Sequence, residues 1–376
     1  MNRERDFRVP QNNNLDASKL IPGLIPDPPG LGGLPSITIT GFRGFSEAGG
    51  SNDIKHNYQA SDTFTWNAGA HAWKFGFEYQ KAEAYNIATN RGNFTSDGRY
   101  TGNAFGDFLL GYISSSSRAN QANERTITNG RYAAFAQDDW KVSSQLTVNL
   151  GVRYEYLGLF GLDKPAVNFY PGIGLVILQG TPDPRLAAGL PIVTSQQAGI
   201  NLDNYRDKNF ADFGPRLGFA YRPFSRSPFV IRASYGIFYI PVAAGSSAGR
   251  LTNNPPFIGR ASFEPAAGSV PSLTLDNPFP GQGTFPANPT LSTEARHRPD
   301  GYVQEWNMTL EGAVRNLGLR ATYLGSKGTH LQQDLNRNDP PPAPRAVRPN
   351  SPWRNCLCFV TCDKACGNAK MIRGAD

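Results

Sequence analysis

The chain has 376 residues, of which 18% are charged, 39% hydrophobic and 11% aromatic, with 40 glycines, 30 prolines and a net charge of +7. Abundant aromatics and glycines beside few charges suit an all-β protein better than a helical one. Nothing approaches the run of about 18 apolar residues that a transmembrane helix needs; the nearest stretch, Phe229 to Ala244, is interrupted by Arg232, Ser234 and Gly236. A mean hydropathy of −0.42 leaves a membrane β-barrel open, because barrel strands show only alternating hydrophobicity.

Residues 1–34 read as an irregular segment. Met1-Asn2-Arg3-Glu4-Arg5-Asp6 carries no apolar export region, which for an exported protein implies a sequence that starts inside a longer reading frame. Gly and Pro crowd 22–34, a linker composition. Eight runs of about ten residues with period-2 hydrophobicity follow, at 57–66, 72–81, 131–140, 147–156, 214–222, 229–239, 302–311 and 318–325. Within pairs the gaps are 67–71, 141–146, 223–228 and 312–317; between pairs they are 82–130, 157–213 and 240–301, about ten times longer. Residues 35–42 and 104–113 are candidates for further strands. Soluble domains rarely carry several structureless loops beyond about 15 residues. Outer-membrane barrels do, with short periplasmic turns and long external loops.

Each run has two unlike faces. Trp73, Phe75, Phe77 and Tyr79 alternate with Lys74, Gly76, Glu78 and Gln80; Val148, Leu150, Val152, Tyr154 and Tyr156 alternate with Thr147, Asn149, Gly151, Arg153 and Glu155. Leu217, Phe219 and Tyr221 oppose Arg216, Gly218, Ala220 and Arg222, and the 229–239 run repeats the pattern, blurred by Val230 and Phe238. A sandwich would bury the apolar face on a second sheet; a barrel would turn it to lipid and keep the charges in a wet lumen. Strand length favours the barrel, since about ten tilted residues cross a bilayer and soluble strands average about five or six. Trp66, Trp73 and Trp140 sit beside the short turns and Tyr79, Tyr156 and Tyr239 at the far ends, as two interfacial belts would require. Asp62 and Asp138 break the pattern: they share faces with aromatic residues and reach lipid or the rim unless a bulge shifts the register.

At these residues the sequence resembles a known family. Tyr132-Ala133-Ala134-Phe135-Ala136-Gln137-Asp138-Asp139-Trp140-Lys141, then Leu146-Thr147-Val148-Asn149-Leu150-Gly151-Val152-Arg153-Tyr154-Glu155, is similar to the barrel of TonB-dependent receptors. Blocks at 73–79, 104–111, 214–221, 231–239, 304–307 and 321–331 resemble the Oar-like subgroup, so the likeness covers about 35–338. It implies a plugged barrel in the outer membrane of a Gram-negative bacterium. Implied partners are outer-membrane lipid and lipopolysaccharide, an inner-membrane TonB complex and an unknown extracellular ligand, with energised uptake as the activity. Signal peptide, TonB box, plug and closing strands are not found, and eight to eleven strands are under half of the roughly 22 of large transporters. The expectation is a partial barrel, inactive in transport by itself; complementation of a receptor-null strain by this chain would refute that.

Enzyme-like patterns are weak. Gly245-Ser246-Ser247-Ala248-Gly249 matches a nucleophile elbow, which needs a strand-turn-helix setting; the following Arg250 to Pro256 suggests a flexible loop instead. His56, His71, His297 and His330 are scattered, without metal-site spacing. Asp138 and Asp139 are adjacent strand residues and point apart. No catalytic, cofactor or metal residue emerges, and ligand-binding residues are left open, although the loops Asn86 to Tyr100 and Asn201 to Phe213 suit ligand capture.

After Pro340-Pro341-Pro342 the composition changes. Six Lys/Arg against Asp363 and Asp376 place a net +4 in residues 340–376, without the aromatic patch of a nucleic-acid site. All four cysteines, Cys356, Cys358, Cys362 and Cys366, lie here in a spacing unlike a zinc site; a disulfide remains open in an oxidising compartment. The reading is a non-native or disordered tail over 339–376. The fold expectation is therefore an all-β, antiparallel transmembrane barrel segment over 35–338 of about 8–11 strands. The functional expectation is a TonB-dependent, Oar-like receptor rather than an enzyme, and the rival is a surface-exposed all-β adhesin binding glycans or matrix.

Overall fold

The computed structural model describes residues 2–336 and 356–361, apart from 90, 121–122, 225–227, 242–243, 266–269, 282, 286–290 and 315–316. Nine strands make one sheet: β1 (Asn2–Arg8), β2 (Ser51–Ala68), β3 (His71–Ala88), β4 (Asn123–Lys141), β5 (Leu146–Leu162), β6 (Asp212–Tyr221), β7 (Phe229–Tyr239), β8 (Tyr302–Val314) and β9 (Leu317–Thr329). Their spatial order follows the chain and every neighbouring pair is antiparallel. Among the described residues the sheet is open, with β1 and β9 at its edges. The eight runs read from the sequence fall in β2 to β9. The ninth strand, β1, lies in the segment read as irregular, where its polar residues give no alternation to detect.

The short connections gather at one end. Gly69 turns β2 into β3 at φ +60°, a backbone region that glycine enters without a Cβ penalty. Between β4 and β5 the Ser143 hydroxyl accepts from the amides of Gln145 (3.2 Å) and Leu146 (3.1 Å), closing the turn.

Strands β2 to β5 are 18, 18, 19 and 17 residues long, far beyond the ten that alternate. At about 3.3 Å per residue each spans about 60 Å, roughly twice a hydrocarbon core. Beyond the alternating stretch the ladder continues, but neither face need stay apolar, so period 2 fades from the sequence. A register shift between Asn129 and Arg131, opposite Leu157–Phe160, marks this upper region. There a Cβ on Gly158 would lie 2.4 Å from the Gly130 carbonyl oxygen, so the two strands approach through glycine.

The register joins the apolar faces into one surface: Phe64–Phe75–Ala136–Val152 and Trp66–Trp73 are aligned cross-strand. Nothing covers it. Phe64 is 64% exposed, Phe77 52%, Leu217 50% and Tyr323 65%, so this protein surface is greasy and continuous.

The buried cores lie instead in the long connections, here called the cap. The sequence reading treated these as long external loops without structure of their own, and the structure corrects it. Ala166–Tyr170 pairs antiparallel with Gly174–Gln179, which pairs parallel with Ile192–Thr194. Ser36–Ile39, Asn93–Ser96, Ser115–Ala119 and Arg260–Phe263 form a second small sheet. Hydrophobic clusters around Tyr205, Val176 and Leu251, around Phe169 and Leu175, and around Phe94 and Phe279 fill the space between them. The strands Ala166–Tyr170 and Gly174–Gln179 are buried on both faces, so they carry contiguous apolar runs and no period-2 signal.

The candidate strand at 35–42 is a strand only over Ser36–Ile39, and it belongs to the cap. The candidate at 104–113 is a helix, Ala104–Leu109. Its Asn103 side chain accepts from the amides of Phe105 (2.9 Å) and Gly106 (3.1 Å), an N-cap that outweighs the aromatic residues' strand preference. Of residues 339–376, Cys356–Thr361 form a strand beside Leu291–Glu294 and Gln332–Asn336. The other tail residues lie outside those described, Cys362 and Cys366 among them.

Candidate functional site

The face opposite the greasy surface is polar, and cross-strand pairing organises its charges. Lys74 Nζ lies 2.9 Å from Asp139 Oδ2, while Gln137 (3.0 Å) and Asn149 (2.6 Å) donate to Asp139 Oδ1. Glu78 receives Arg153 at 2.8 Å and Arg131 at 3.6 Å, and Arg153 also reaches Glu155 at 2.5 Å. Each group sits on an inward register position of β3, β4 or β5, so the alternation visible in the sequence suffices to bring them together. Paired charges of both signs are tolerated there if the face is wet.

Beside this network is a concavity of about 380 Å³ lined by Gln137, Asn149, Arg216, Ser234, Glu305 and Asn307, among others. Its floor is bare at Gly151 and Gly218, inward positions on consecutive strands, while the Phe238 ring folds over the inward Gly236.

Asp138, which the sequence placed on the apolar face, is there without a bulge. It is 5% exposed. Its Oδ2 lies 2.6 Å from His71 Nδ1, and the His71 ring stacks with Trp73 (5.8 Å) and Trp140 (5.3 Å) at the turn end of the sheet. The aromatic belt thus shields a carboxylate–imidazole pair. Asp62 keeps its apolar-face position opposite Phe77 and accepts from the Thr63 amide at 2.9 Å. Asp138 and Asp139 do face opposite sides, one toward His71 and the other toward Lys74.

A second polar assembly lies inside the cap. Arg206 and Asp300 pair at 3.1 Å with side chains 4% and 1% exposed, and Asn209 donates to both Asp300 (3.2 Å) and Asp212 (2.5 Å). Glu294 and Arg298 meet at 3.7 Å with similar burial. The Asn168 amide holds this strand by donating to the Glu294 carbonyl (2.8 Å) and accepting from its N–H (2.9 Å). Burial pushes the Glu294 carboxyl above its ordinary value of 4.5, more than the positive charge of Arg298 pulls it down. Burial likewise lowers Arg298 to about 10, with Glu294 opposing, and raises the Tyr205 phenol to about 12.

A raised folded value means that folding binds a proton. Glu294 therefore adds stability below about 4.5 and loses it as pH rises through the raised value. Glu294→Gln mimics the protonated acid. The melting temperature of the variant minus that of the parent is expected to grow from pH 4 to pH 8; a pH-independent difference would disprove the assignment.

The sequence-level candidates separate. The G-x-S-x-G segment, read as a flexible loop, lies in a helix, Ala244–Thr252. Ala248 and Leu251 on that helix are wholly buried in the cap core, and this burial outweighs the glycine penalty. Ser247 is itself 1% exposed inside the helix, where a nucleophile elbow would present its hydroxyl at a sharp turn. His297 pairs with Asp207 on the surface of the cap; His330 stands edge-on to Tyr302, and His56 edge-on to Tyr58. No metal-ligating cluster forms among the described residues. The cap's buried Arg and Asp pair escaped sequence reasoning because Arg206 and Asp300 are 94 residues apart, and only the fold brings them together.

A family model described as an outer membrane beta barrel domain matches residues 1–370. No curated protein matches the chain. Among solved structures, it is similar to the outer membrane transporter YddB from Escherichia coli at 12% identity and a TM-score of 0.46, over 86% of this chain and 31% of that one. It is also similar to the Serratia marcescens hemophore receptor HasR, solved as a double mutant in complex with its hemophore HasA and heme. There the identity is 10% and the TM-score 0.32, over 83% of this chain and 44% of that one. The chain spans less than half the length of either.

Proposed function

The chain belongs to the outer membrane beta barrel domain family, and from that premise we propose that it supplies barrel wall and external cap to a TonB-dependent, Oar-like receptor. Its place is the outer membrane. The reading rests on one observation: the motif block of 132–141 and that of 146–155 pair directly as β4 and β5, and the long connections that follow such pairs collect at one end as a folded cap. In this reading the greasy face meets lipid, with lipopolysaccharide around the outer rim, and the polar face lines the lumen. The cap, with its aromatic and amide side chains, captures an extracellular ligand. A plug in the lumen then yields to the inner-membrane TonB complex, and the ligand passes. The chain's own residues contribute binding and a wet path, with no covalent chemistry.

Photo-cross-linking in the native cells tests the TonB-dependent part. The protein is expected to cross-link to TonB, and ligand uptake to stop when the proton gradient is dissipated. A protein that never contacts TonB, yet retains cells on glycan or matrix surfaces, would favour the adhesin reading instead.

A further inference from the structure

Several arginines of the polar face are paired with glutamates. Arg131 and Arg153 are held by Glu78, and Arg232 and Arg320 by Glu311 at 3.3 and 2.7 Å. Arg216 differs. Among the described residues its guanidinium has no carboxylate at ion-pair distance and rests on the Phe238 ring, 4.9 Å from the centroid. Glu305, in the same concavity, also has no cationic partner among the described residues.

The register sets these two opposite charges apart. Arg216 lies across from Gly236, and Gly236 lies across from Glu305. Two strand spacings separate them, about 10 Å between backbones. Gly236 between them lies under the Phe238 ring, 2.9 Å from where a Cβ would stand, and Gly151 flanks Arg216 on the other side. The rim carries peptide-like amides: Gln137, Asn149 and Asn307.

We propose that this concavity binds a short peptide presenting one carboxylate and one cation, with Arg216 taking the carboxylate and Glu305 the cation. An arginine seated over an aromatic ring can still offer its N–H groups to a bidentate carboxylate. Three extended residues span about 10 Å, matching the separation of the charges. The amide side chains are suited to the peptide groups between them, and Gly151 and Gly218, where a Cβ would meet nothing nearer than 3.5 Å, let the ligand backbone lie close. The assignment rests on the polar face lining a wet lumen, as in the receptor reading. Free peptides and a stretch of polypeptide lodged in the lumen share this chemistry.

The test is calorimetric titration of the full chain in detergent micelles with three probes: trialanine with free termini, N-acetyl-trialanine amide, and a terminally blocked hexapeptide containing one Glu and one Lys. Trialanine is expected to bind, the uncharged probe to fail, and Arg216→Gln or Glu305→Gln each to weaken binding by roughly tenfold or more. Binding of the hexapeptide in place of trialanine would identify a lodged polypeptide as the source. If none of the probes binds to a chain whose circular dichroism and micelle insertion show a folded sheet, the site fails and the barrel reading stands. If the chain neither inserts nor folds in micelles, both fail. A coupling between the two substitutions in ligand-free stability, with no effect on binding, would show that Arg216 and Glu305 simply pair with each other, and would overturn the proposal.

Discussion

Leu217→Arg is expected to destabilise the lipid-inserted sheet by about 2–4 kcal/mol, because a guanidinium in the middle of the hydrocarbon must be hydrated by distorting the bilayer. Leu217 stands on the greasy face between Leu150 and Tyr235, half exposed with no protein cover. The same change one residue on, Gly218→Arg, points to the polar face. A Cβ there meets only ordinary contacts, the nearest at 3.5 Å, and its cost should stay below about 1 kcal/mol. Tyr221→Arg, on the greasy face but at the turn end of β6, should cost about 0–1 kcal/mol, since the penalty falls toward the interface. Urea titration of the three variants in lipid vesicles measures all of this. A soluble sandwich would instead penalise Leu217→Arg equally without lipid, and a protein that unfolds identically in buffer and in vesicles would end the barrel reading.

Arg206→Ala is expected to destabilise the cap by about 3–5 kcal/mol, the range for removing one partner of a buried ion pair. The loss comes from Asp300, left 1% exposed with its countercharge gone, more than from any intrinsic strength of the pair. Two consequences distinguish this from general damage. The double variant Arg206→Met, Asp300→Leu should recover most of the stability, because apolar groups of similar size need no partner. Protease nicking should rise in 163–211 and 240–301 while β2 to β5 stay protected, since the cap has its own hydrophobic clusters and can open locally. Equal destabilisation by single and double variants, or nicking spread evenly through the sheet, would show that the pair is not what holds this part of the cap.

The division between what could be read and what could not follows the periodicities. Leu150 and Asn149 announce opposite faces because a strand's side chains alternate, and a sheet with one greasy and one polar face makes that alternation a strong compositional signal. Gly69 and Ser143 punctuate the short turns. Asp138 shows the limit of such reading. Its face was legible, but not the His71 and Trp140 that cover it, because these come from β3 and from the turn end of β4 and meet only through the register. Val167 and Val176 look like loop residues in a polar stretch, since strands buried on both sides have no alternation. Ser247 looked like a loop residue because glycine and the following prolines discourage a helix locally, whereas burial of Leu251 decides the matter non-locally.

By itself, the sequence determined the eight alternating strands, their antiparallel pairing through short turns, and which side of each is greasy, since all three depend on neighbours within a few residues. The tertiary structure alone decided the folded cap, the partnership of Arg206 with Asp300, and the seating of Arg216 over the Phe238 ring. Those depend on contacts between segments tens of residues apart, where loop closure brings together groups that no local pattern encodes.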